Sequence, residues 1–168
     1  MKTTMTALAC ASVMTVATPA AAQDSNSDAT SDALILVPLQ LTKVDDLDFG
    51  TVISSPSAGT LVIPADGSAR TATGGVVPHP GDEGFVGEFY TAATAGQEVL
   101  FVLTAPASLD NGAGDSIPVL AMTMDGPNFR YADTDGVIRV RVGGILWINA
   151  DQEPGAYSNT FNLYAEYR

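Results

Sequence analysis

Three groups of residues in this sequence are of types that do chemistry. The acids of "DDLDFG" (Asp45, Asp46 and Asp48) and of "DTDG" (Asp133 and Asp135) could hold calcium, and the single histidine, His79, could act as a base or a ligand. Scattered carboxylates could form the pair that cleaves a glycosidic bond. Spacing argues against the first, and missing companions argue against the other two. A calcium loop of the EF-hand kind needs alternating acids, a glycine and a closing Glu, whereas "VIRVRV" follows Gly136. Turn chemistry explains these aspartates, and the only cation site left open is a weak one assembled from separate loops. His79 stands between Pro78 and Pro80, without the cysteines of a zinc site or the orienting partner of a nucleophilic triad. No aromatic-rich cleft signal accompanies a carboxylate pair, and Trp147 is the only tryptophan; its place out of phase with Leu146 and Ile148 reads as packing over a second face. Gly74-Gly75 and Gly143-Gly144 lack the following helix start that a phosphate loop requires. The expectation is a protein that is not an enzyme, with no cofactor and no metal.

The elements that must carry these residues read as strands. Met1-Lys2, the apolar run Leu8–Val16 and the small residues up to Ala20-x-Ala22 form a secretory signal over residues 1–22. The run is too short to span a bilayer, and Cys10, the one cysteine, lies inside it. The expectation is export through the inner membrane to the periplasm, the cell surface or the medium, with no membrane insertion once the signal is removed. Loss of Lys2 leaves six Lys and Arg against nineteen Asp and Glu, a formal charge of −13. So acidic a chain repels phosphate backbones and anionic lipid, which argues against a nucleic-acid partner.

Residues 23–33, "QDSNSDATSDA", are a polar leader without periodicity, expected to be disordered. Residues 34–168 read as one domain. Gly, Pro, Thr and Val dominate it, and turn signals separate about eight or nine short strands, the pattern of an all-β, immunoglobulin-like β-sandwich. "IPVLAMTMDG" puts Leu120, Met122 and Met124 inward. In "VIRVRVGGILWI", Ile138, Val140, Val142, Leu146 and Ile148 share a face opposite Arg139 and Arg141, and Gly143-Gly144 suggests a bulge or corner.

The last residues, "GAYSNTFNLYAEYR", alternate Tyr157, Phe161, Leu163 and Tyr167 with polar neighbours. Extended from Ala156 to Tyr167, that strand would run roughly 40 Å. No further strand follows it, so the sandwich is expected to lack its last strand and to present an open edge above an apolar groove. A neighbour would have to come from the N-terminal segment, with Leu34, Leu36, Leu39 and Leu41 as the complementing strand, or from another molecule by strand addition.

"LTKVDDLDFGTV" and "VGGILWINADQEPGAYSNTFNLYAEY" together resemble the DUF4402 family of secreted proteins from Gram-negative bacteria, with Ile145-Leu146-Trp147 standing where that family has small or Thr-rich residues. That family is in turn similar to spore-coat-U-like and fimbrial subunits of chaperone–usher systems. The resemblance implies a pilin-like structural subunit, completed by a donor strand from a periplasmic chaperone and then from a like subunit. It carries over no catalytic residues. The alternative expectation is a self-complemented monomer, a surface or carbohydrate- or protein-binding sandwich that does not assemble.

Overall fold

The computed structural model describes residues 29–168. Residues 1–22, read above as a signal and holding Cys10, and the polar stretch as far as Asp28 lie outside the described residues. Residues 29–33 carry no strand and are exposed. Every strand falls within the compact unit Ile35–Arg168.

In chain order the strands are β1 (Gln40–Asp45), β2 (Val52–Ile53), β3 (Gly59–Ile63), β4 (Thr71–Ala72), β5 (Val77–Pro78) and β6 (Gly87–Ala92). They continue with β7 (Glu98–Thr104), β8 (Ser108–Asp110), β9 (Ser116–Met124), β10 (Phe129–Tyr131), β11 (Val137–Ile148) and β12 (Asn162–Tyr167). The described residues are therefore all-β, and every strand pair is antiparallel. Five of the elements are only two or three residues long, too short to be seen as separate strands in the hydrophobic pattern.

The twelve-residue β11 is the axis of the larger sheet. One of its edges pairs first with β6 and then with β3, and the other pairs with β9, so Gly144 has Ile63 on one side and Met122 on the other. β1 extends the sheet beyond β6, β4 beyond β3, and β8 beyond β9. A second sheet has the order β10-β7-β12, and β2 pairs with β5 in a small ribbon.

The alternation of β11 holds along its whole length, with Ile138, Val140, Val142, Leu146 and Ile148 all buried. The glycine pair does not interrupt it: the register with β3 runs unbroken from Gly144 to Ile148. A side chain at Gly144 would lie 2.8 Å from the ring of Phe49, and one at Gly143 would collide with the Ile63 carbonyl. These glycines admit close neighbours where β11 changes partners, which is a different use from the expected bulge.

The irregularity sits on β9. Leu146 pairs with Val119 and Ile145 with Ala121, so Leu120 is skipped and turns outward, 55 % exposed. A bulge inverts the alternation of the residues on either side of it. Ile117 therefore points inward in one phase and Met122 and Met124 in the other.

The aspartates of the turns accept backbone N–H groups. Asp133 Oδ1 takes those of Asp135 and Val137, and Asp48 Oδ1 takes that of Gly50. Asn111 Oδ1 does the same for Ala113 and Asp115.

The core has two clusters. One packs Phe89, Ile138, Val140 and Val142 of the large sheet against Val99 and Phe101 of β7, with Leu163, Ala165 and Tyr167 of β12 beside them. The other gathers Leu61, Ile63, Leu109, Ile117, Leu146 and Ile148 around Phe49.

Candidate functional site

The closing strand is shorter than its alternation suggests. Only Asn162–Tyr167 forms a ladder, with β7. Upstream, Ser158 makes an isolated bridge to Asp110, Asn159 donates to the Ser108 carbonyl at 2.9 Å, and Asn159 Oδ1 accepts the Thr160 N–H at 2.8 Å. An Asn side chain that binds local backbone competes with strand pairing. Tyr157 adds a second local tie, because its hydroxyl donates to the Glu153 carbonyl at 2.7 Å. Residues 152–161 thus form a strap rather than a strand.

Beneath this strap lies a groove of about 940 Å³. One lip is the strap. The other is the segment Asp46–Thr51, with Lys43, Val52, Ser54 and Asp82 nearby. The floor is core: Leu61, Leu109, Ile117, Leu146 and Ile148, each under a tenth exposed, belong to the Phe49 cluster and all line the groove. Phe161 stands at the inner end, its ring edge-on to Phe89 at 5.9 Å and 76°.

Of the residues expected at a groove, Tyr157 and Phe161 line it, whereas Leu163 and Tyr167 pack into the closed cluster. Leu39 and Leu41 pack into that closed cluster as well, and Leu41 pairs with Thr91 of β6. The strand carrying Leu41 therefore borders β6 and not β12. Leu36 is half-buried, and Leu34 is exposed and lies outside the unit Ile35–Arg168. The Tyr167 hydroxyl accepts the Thr94 N–H at 2.7 Å and donates to the Val37 carbonyl at 2.9 Å. It ties the last strand to the segment preceding β1.

The outer edge of β12 has no strand partner among the described residues. The Arg168 N–H donates to the Glu98 carbonyl at 3.1 Å. In an antiparallel ladder bonded pairs alternate, so Asn162, Tyr164 and Glu166 face β7. The backbone groups of Leu163, Ala165 and Tyr167 face outward.

Four acids and one base line the groove: Asp46, Asp48, Asp82, Glu153 and Lys43. Lys43 Nζ is 2.7 Å from Asp46, both side chains well exposed. The Thr51 hydroxyl donates to Asp82 at 2.6 Å and holds its carboxyl below the usual carboxylate range. Arg70 braces this lip from behind, donating to the carbonyls of Phe49, Thr51 and His79. His79 accepts the Gly81 N–H on Nδ1, an arrangement local to its loop. The floor residues were not foreseen as a site, because they are contributed by four separate strands and no local pattern connects them.

A second polar cluster lies beside β11 where its pairing with β9 ends. Asp125 is held by Arg130 at 2.8 Å and by Arg141 at 3.2 Å, with its side chain 14 % exposed. Burial pushes its carboxyl up, but the Arg141 amide and the two guanidinium groups outweigh this, so it ends below the usual range. Arg130 also donates to the Arg139 carbonyl and sits over the Phe101 ring, 5.7 Å from its centre. This cluster closes an edge.

Among known families, residues 39–167 match the one described as "Domain of unknown function (DUF4402)". No curated protein matches the chain. No solved structure matches it.

Proposed function

The chain belongs to the DUF4402 family, and we propose that it is an exported, pilin-like structural subunit that accepts a β-strand from another chain. One observation carries this reading. An apolar groove floored by core residues lies next to a final strand whose outer edge is unpaired among the described residues. A strand laid along that edge would bond to the backbone groups of Leu163, Ala165 and Tyr167 and continue over the floor toward Leu61 and Ile148. It would complete an immunoglobulin-like sandwich, in which the β10-β7-β12 sheet covers the large one. The signal-like residues 1–22 support export, and the resemblance to chaperone–usher subunits supports a periplasmic chaperone followed by like subunits. No residue of the groove is assigned a catalytic role.

The test is rescue. The protein produced without a chaperone should aggregate or be degraded, and an added peptide of alternating apolar residues should restore a stable, folded species. A clean monomer with a high melting temperature and no response to peptide would contradict the proposal.

One observation favours the alternative of a self-sufficient monomeric binding domain: the Tyr167 hydroxyl already ties β12 to Val37. On that reading, deletion of residues 33–41 unfolds the monomer. On the strand-acceptor reading, the deletion variant still gains stability from an added donor strand.

A further inference from the structure

The groove has a sign as well as a shape. Its lips carry Asp46, Asp48, Asp82 and Glu153 against Lys43 alone, a net of −3 at an otherwise apolar cleft. Lys43 is already matched to Asp46, and Arg70 is committed to backbone carbonyls. The leader of the chain itself has the wrong sign to answer this: residues 23–33 hold Asp24, Asp28 and Asp32 and no base. Charge complementarity across a binding surface selects partners and suppresses wrong ones, because juxtaposed like charges cost affinity.

We propose that the occupant of the groove is a β-strand from a different protein, with apolar side chains at alternate positions and Lys or Arg at its flanks. This rests on the strand-acceptor reading, adds the partner's charge, and places a chaperone or a different, basic-flanked subunit ahead of a second copy of this chain. The apolar positions cover Leu61, Ile117 and Ile148, and the edge groups of Leu163, Ala165 and Tyr167 form the ladder. The basic flanks come to rest over the acids of the two lips. A second copy of this acidic chain is the poorer occupant, since its leader would bring three more carboxylates to the same cleft.

The test measures binding of three peptides to the full chain at low and at high salt. Two share one alternating apolar core and differ only in Lys or Glu at both ends; the third is the chain's own segment 28–41. The Lys-flanked peptide is expected to bind about tenfold tighter than the Glu-flanked one at low ionic strength, with the gap closing as salt screens the lips. It should also bind more tightly than segment 28–41. The double variant Asp46→Asn with Glu153→Gln alters two exposed side chains and should lose most of the preference while still binding both designed peptides.

Equal affinity for the Lys- and Glu-flanked peptides overturns the charge proposal and leaves the strand acceptor standing. So does a preference unchanged in the double variant, or tighter binding of segment 28–41. No binding of any peptide overturns both readings.

Discussion

The two halves of the core use the same large sheet and end differently. Where β1, β6 and the first half of β11 face inward, a laddered sheet covers them and Val99, Phe101, Val140 and Val142 are completely buried. Where β3, β9 and the second half of β11 face inward, the cover is the strap of residues 152–161, and about 940 Å³ stays open beneath it. The inward side chains are apolar in both halves, with Thr91 of β6 the buried polar exception in the closed one. What differs is the covering backbone: β12 pairs with β7 for six residues, while the strap bonds to itself, to β8 and to the Ser116 carbonyl of β9. On the strand-acceptor proposal, an added strand would lie in this half, over core residues that a loop covers in place of a ladder.

Substitutions can break or sharpen this contrast. The largest effect belongs to Phe101→Ala in the closed half, expected to cost about 4 kcal/mol in a denaturant titration. Overpacking separates the halves more directly. Val140→Phe should cost about 3 kcal/mol, whereas Met122→Phe, at a half-buried position that lines the groove, should cost under about 1 kcal/mol. Equal costs for that pair would mean the groove is not open in solution. Asp125→Asn, at the margin of the closed half, should cost about 2 kcal/mol by leaving Arg130 and Arg141 poorly paired.

The Asp125 carboxyl is held below its unfolded value. Its contribution is therefore complete above the ordinary carboxylate range and disappears as pH falls through the lowered folded value. The acid limb of the stability curve should accordingly be shallower in Asp125→Asn than in the parent. Smallest of all, His79→Ala should change stability by less than about 0.5 kcal/mol, since it removes one exposed loop contact.

The all-β class and the inward face of β11 were legible because a two-residue period over twelve residues leaves little ambiguity. The side-chain alternation from Phe161 through Tyr167 was legible for the same reason, and burial follows it. The break in pairing before Asn162 was not, because the pattern of side chains continues where the ladder stops; Asn159 and the Tyr157 hydroxyl decide that locally. Leu120 escaped for a related reason, as a single bulged residue inverts a face without changing composition. The floor of the groove was beyond local reading altogether: Leu61, Leu109, Ile117 and Ile148 meet only through strand order.

Amide hydrogen exchange along β12 tests the central claim most directly. In the free protein the N–H groups of Tyr164 and Glu166 should be protected, and those of Leu163, Ala165 and Tyr167 should exchange fast. Added donor peptide should then protect the second set. Protection of Leu163, Ala165 and Tyr167 in the free monomer would show the edge to be already paired and would contradict the account.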